Sequence, residues 1–195
     1  MNPTDLAQKC RKTGWRRLAG LSRRFARHRG GLAAIEFAIV LPLMLLLYLG
    51  SFEISQAVAI KRQVTLTAST VANIVSQYAT ISATADLPDI LNASSVVLTP
   101  YSSSNAVVTV SVIGINSTGK ATVTWSQSLH GTARTVGQTV TLPAALDVDN
   151  TSLVLGETTY AYTPIMDFMK VGTLSLYSSV YMFPRSSSGT ILLTP

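Results

Sequence analysis

"RHRGGLAAIEFAIVLPLMLLLYLG", residues 27–50, decides how the rest of this chain is read. From Leu32 to Phe52 only Glu36 carries a charge, and such a run of 21 residues forms a helix about 30 Å long, the hydrocarbon thickness of a bilayer. A core helix of a soluble protein is seldom apolar on every face. The run therefore predicts a membrane span, bent at Pro42, where proline removes one helical hydrogen bond.

Charge around the run is lopsided. Nine of the 15 Lys and Arg residues precede Gly30, Arg23, Arg24, Arg27 and Arg29 among them, against a single acid, Asp5. Beyond Gly31 there are six basic and eight acidic residues. A basic tail on a near-neutral body is a topology signal that keeps the N-terminus cytoplasmic, and not the charged folded face of a nucleic-acid binder. Cys10, the only cysteine, lies in that tail, so neither an internal disulfide nor a cysteine metal site is available.

Three readings of the N-terminus follow. A signal peptide would use the small residues Ala57–Ala59 for cleavage, but its apolar region is normally shorter and uncharged. A mitochondrial transit peptide would account for the Arg-rich, acid-poor residues 6–30. Neither explains Glu36. A carboxylate inside a span is costly and marks a function with a partner. If the chain is cut after Gly31, Leu32 gains a free amino group, and that ammonium can pair with Glu36 of a neighbouring helix and so select helix register. Glycine at the cut suits a peptidase groove that needs close backbone approach.

"GGLAAIEF" resembles the prepilin-peptidase recognition pattern of type IV pilin-like proteins: glycine, four residues, then glutamate and an aromatic. The longer stretch "RGGLAAIEFAIVLPLMLLLYLGSFEISQAVAIKRQVTLTASTVA", with its second glutamate at Glu53 and "KRQV" after it, resembles the TadE-like family, minor pseudopilins of the Tad (Flp pilus) apparatus. The resemblance covers roughly residues 29–72; "YAYTPIMDFM" and "LYSSVYMFPR" are similar to the C-terminal end of TadE/TadG-type proteins. It implies Gly31 as the last leader residue, Leu32 as the mature N-terminus, and Glu36 with Phe37 as the processing and assembly pair. Leu32 stands where many type IV pilins have Phe.

Past Phe52, Val64, Val71, Ile74, Val75 and Tyr78 recur at three- and four-residue steps, which predicts that the helix continues beyond the membrane and lays an apolar face under a folded head. Its β-branched content makes it dependent on that packing. "ATISATADLPDI" is expected to end it, with Pro88 as breaker. From Ser94 the period becomes two. "AVVTVSVIG", "ATVTWSQSL", "TVGQTVTL", "SLVLGETTYAY" and "TLSLYSSVYMF" predict five or six antiparallel strands, mostly a meander, with one face on the helix and the other wet. A short helix is expected at "IMDFM", and "RSSSGTILLTP" either trails or adds an edge strand.

The chemistry-bearing motifs are weak. "GINSTGKA" approaches a phosphate-binding loop, but Ala121 replaces the required hydroxyl and a strand follows, so it reads as a hairpin turn. "LDVDNTS" lacks the glycine and distal glutamate of a Ca²⁺ loop. His130 has no second histidine near it, His28 lies in the tail, and no G-x-S-x-G occurs. Tyr160, Tyr162, Tyr177 and Tyr181 read as strand packing. The expectation is an α+β, type IV pilin-like protein and no enzyme, with neither metal nor cofactor. Residues 1–31 would form a cytoplasmic leader, 32–55 a transmembrane helix, 56–82 its stalk and 90–195 a periplasmic β-rich head. Its expected partners are a prepilin peptidase, other pilins or pseudopilins, the Tad inner-membrane platform and the lipid bilayer of a bacterial inner membrane, with no nucleic acid. The alternative is an uncleaved or signal-peptidase-processed anchored binding domain without a pilus role.

Overall fold

The apolar run and the stretch beyond it fold as one helix, α1 (Arg29–Ser76), in a computed structural model that describes residues 29–164, 172–186 and 189–195. Pro42 lies inside α1, where its missing N–H leaves the Ala38 carbonyl without its helical bond. The chain divides into two compact units at Phe52/Glu53. In the first, α1 is long and apolar enough to cross a membrane, and none of its most apolar 18-residue stretch is buried.

The second unit, Glu53–Pro195, combines the rest of α1 with the strands. One face of α1 is buried throughout: Ile60, Val64, Thr67, Ala68, Val71, Ala72 and Val75. It lies on a four-stranded antiparallel sheet of β2 (Ala106–Ile115), β3 (Ala121–Leu129), β4 (Ser152–Tyr162) and β5 (Leu174–Met182), in the order β3-β2-β4-β5. The α+β class is as expected. The strand order is not a plain meander, because β4 returns to the far side of β2. Contact with the sheet is close where residues are small: a Cβ added to Gly156 would stand 2.5 Å from the Ala68 carbonyl oxygen and 3.0 Å from Ala72 Cβ.

Further expectations are corrected. The helix ends at Ser76, not near 82, and Thr80–Ser82 is a short strand, β1. Pro88 is no breaker. It sits in the first turn of α2 (Asp86–Val97), where the missing N–H costs no helical bond, and α2 buries Leu87, Ile90 and Leu91. "TVGQTVTL" makes only an isolated bridge, Thr122 to Thr139, along β3. The sheet's outer face is not simply wet: Ile113, Leu153 and Leu155 are buried there, with Val140, Leu142 and Leu146 of the long 130–151 connection packed over them. The C-terminal segment forms β6 (Leu192–Thr194), paired parallel with β1 rather than at the edge of the main sheet. "IMDFM" lies outside the described residues.

Candidate functional site

The residues expected to carry processing and assembly occupy the start of α1. Gly31 is part-exposed in its first turn, Phe37 is exposed, and Glu36 is exposed with no hydrogen bond or ion pair to another described residue. Every residue from Ala33 to Tyr48 is exposed, so a single chain leaves this helix surface unpartnered. Arg29 begins α1, the Leu32 side chain is outside the described residues, and Arg23, Arg24 and Arg27 lie outside them altogether.

The second glutamate of the motif, Glu53, behaves differently from the first. Tyr162 donates its hydroxyl to Glu53 Oε2 at 2.8 Å, tying α1 to the end of β4. Burial, and then this bond to a carboxylate, push the Tyr162 hydroxyl up to about 12. Two further α1 side chains bond to backbone: Lys61 Nζ donates to the Tyr177 carbonyl of β5 and Gln63 Nε2 to the Val97 carbonyl at the end of α2. Thus Lys61 and Gln63 of "KRQV" hold the head onto its helix. Beside them Gln56, Ile60, Tyr101, Asn105, Tyr160 and Tyr162 line a half-open cavity of about 250 Å³.

The outer face carries a polar cluster around the buried Glu157 that the sequence reading missed. Glu157 on β4 accepts two bonds from Arg134, at 2.6 Å from Nε and 2.7 Å from Nη2, and one from the Tyr177 hydroxyl at 2.6 Å. Burial pushes the Glu157 carboxyl up, but the bonds from Arg134 and Tyr177 outweigh it and hold the carboxyl below its ordinary value. The bond to Glu157 raises the Arg134 guanidinium. Arg134 belongs to the 130–151 connection, and its own N–H donates to Ser126 Oγ, so this connection is latched to β3 and β4 at one residue. Next to the latch, hydroxyl pairs bridge β2 and β3: Thr109 with Ser128 at 2.8 Å and Ser111 with Ser126 at 2.9 Å. A signal for Glu157 existed: it is the only charge in "SLVLGETTYAY".

The weaker motifs resolve as turns. Asn116 Oδ1 accepts the backbone N–H of Thr118 and of Lys120, closing the β2–β3 hairpin over "NSTGK". Asp147 and Asp149 approach the same turn near Gly119, and both are exposed. His130 Nδ1 lies 3.3 Å from the Ala106 carbonyl oxygen. Among the described residues no three His, Cys, Asp or Glu side chains gather as metal ligands. Tyr160 and Tyr162 are buried, Tyr160 edge-on to Tyr101 with ring centroids 6.5 Å apart, whereas Tyr177 is exposed; Tyr162 and Tyr177 also hold carboxylates.

No curated protein and no solved structure matches the chain. Residues 31–73 match the family model of TadE-like proteins, a segment that opens at Gly31, takes in Glu36, Glu53 and "KRQV", and closes near the end of α1. The helix that is apolar enough to cross a membrane and then packs on the sheet thus carries the segment that is similar to TadE-like proteins.

Proposed function

We propose that this chain is a minor pseudopilin required for assembly of an adhesive Tad-type pilus, anchored by α1 in a bacterial inner membrane. Its basic N-terminus faces the cytoplasm and its head the periplasm. The observation that carries the reading is the TadE-like match over residues 31–73, with Glu36 exposed and unpaired among the described residues, five residues after Gly31. A prepilin peptidase cuts between Gly31 and Leu32. Gly30 and Gly31 stand just before that bond, and glycines weaken a helix, so this part of α1 costs little to unwind. The Leu32 ammonium then pairs with Glu36 of an adjacent pilin or pseudopilin helix, offsetting the cost of holding either charge in lipid. The protein is a peptidase substrate and performs no catalysis itself.

The fold supports this over cleavage by signal peptidase after Ala59. Such a cut would remove Glu53 and expose Ile60 as a chain end, although Ile60 is buried against Tyr160 and Tyr162. N-terminal sequencing of the protein from native membranes tests the proposal. Leu32 as first residue is expected; Met1 or Ile60 would overturn it. A Glu36→Ala variant should still insert and reach wild-type levels while piliation falls at least tenfold.

A further inference from the structure

We propose that the outer edge of β5 is an acceptor for one extended strand of another protein, a strand uncharged except for a carboxylate on the face that looks toward α1. The two edges of the main sheet differ. Along β3, the connection residues Gly137, Gln138 and Val140 bond back to Ala121 and Val123, covering that half of the edge. Along β5, all nine residues pair with β4 without a bulge, and none is buried. Its sequence, "LSLYSSVYM", has no proline and no charge, the devices that usually keep an open edge from pairing.

The hydrogen-bonding side of that edge is identified by one contact. Lys61 reaches the Tyr177 carbonyl, so the backbone N–H and C=O of Tyr177 point away from β4, and by the antiparallel alternation so do those of Ser175, Ser179 and Tyr181. Among the described residues, Lys61 is the only side chain that donates to this row. A guest strand meets four consecutive outward residues, which is the geometry of strand addition. Side chains on the α1 side, Leu174, Leu176, Ser178, Val180 and Met182, ask for apolar and small neighbours. There Lys61, displaced from Tyr177 by the guest's own N–H, offers a flexible ammonium to a guest carboxylate.

A second copy of this chain fits poorly. In a twofold β5–β5 pair the helices, which run antiparallel to β4 from Glu53 near Tyr162 to Ala72 near Gly156, would point in opposite directions. Two chains anchored in one bilayer enter from the same side. A head-to-tail pair would need the β3 edge, already covered at Ala121 and Val123. The guest is therefore a different chain, and the proposal holds whether or not the leader is cleaved.

The test uses the full-length protein in nanodiscs and a fluorescent peptide of alternating threonine and valine, with one glutamate on the valine face. Before peptide is added, the amides of Ser175, Tyr177, Ser179 and Tyr181 should exchange with solvent much faster than those of Leu176, Ser178 and Val180. Peptide should slow the first set. Ser179→Pro removes an outward donor and spares the β4 ladder, so it should weaken binding about tenfold while the melting temperature is kept. If that variant does not fold, Ser175→Pro repeats the test nearer the strand's start. Lys61→Gln should abolish the roughly threefold preference for glutamate over glutamine in the peptide. Slow exchange of the outward amides before addition, equal binding by the proline variants, or equal binding of a scrambled peptide would each overturn the proposal.

Discussion

Gly156 and Glu157 are neighbours on β4 that face opposite sides of the sheet, and each answers to a different force. Gly156 lets the α1 backbone approach, so a methyl group there meets the Ala68 carbonyl oxygen at 2.5 Å, closer than contact allows. Neither a helix backbone nor a central strand can yield cheaply. Gly156→Ala should therefore lower stability by about 1–3 kcal/mol, the usual range for overpacking a filled core; denaturant unfolding of the purified protein measures it. Its small partners, Ala68 and Ala72, are both fully buried, and a sequence alone does not say which glycine they await. Glu36 was legible for the opposite reason: a charge in an apolar run stands out without any knowledge of the fold.

Elements were legible where one period ran unbroken. The strand patterns marked β2, β3, β4 and β5 almost to the residue, with hydroxyl and apolar residues alternating along much of β2 and β3, while β4 buries residues on both faces. Period two failed at residues 135–142, where Gly137 has φ of +80° and Pro143 follows, so an alternating stretch bridges β3 once and then turns away over the outer face. Pro88 misled in the other direction, since a proline within a first turn starts a helix as readily as it breaks one. The 130–151 connection has no strand or α-helix, only turns, the bridge at Thr139 and a 3-10 helix at Ala144–Leu146, and its Arg134–Glu157 latch joins residues far apart in sequence, which no local pattern announces. Because the Glu157 carboxyl is held below its ordinary value, the latch's contribution is complete above the usual carboxylate range and is lost as pH falls through the lowered value. Glu157→Gln should cost about 1–3 kcal/mol near neutrality. It should also flatten the acid limb of the stability curve, with amide exchange rising first around Val140 and Leu142 rather than in β2.

At the scale of the molecule, the segment that is similar to TadE-like proteins has two parts within one helix, divided at Phe52/Glu53. The first part offers an uncovered apolar surface with one carboxylate; the second is core material for the head. Ile60, Val64, Val71 and Val75 are each at most 3% exposed, and burying a side chain of this size contributes roughly 1.5–3 kcal/mol. Four of them together approach the whole stability of an ordinary domain, about 5–15 kcal/mol. The sheet thus cannot be separated from its helix. A fragment beginning at Glu53 should be soluble and melt in one cooperative transition, because it keeps the buried face, the Tyr162–Glu53 bond and the bonds from Lys61 and Gln63. A fragment beginning at Gln77 keeps every strand of the sheet yet exposes Val110, Val112, Val154 and Gly156, and it should show no cooperative melting and bind a hydrophobic dye. Circular dichroism melts of the two fragments side by side decide the matter. Cooperative folding of the shorter one would mean that the head stands alone and that α1 is only its tether.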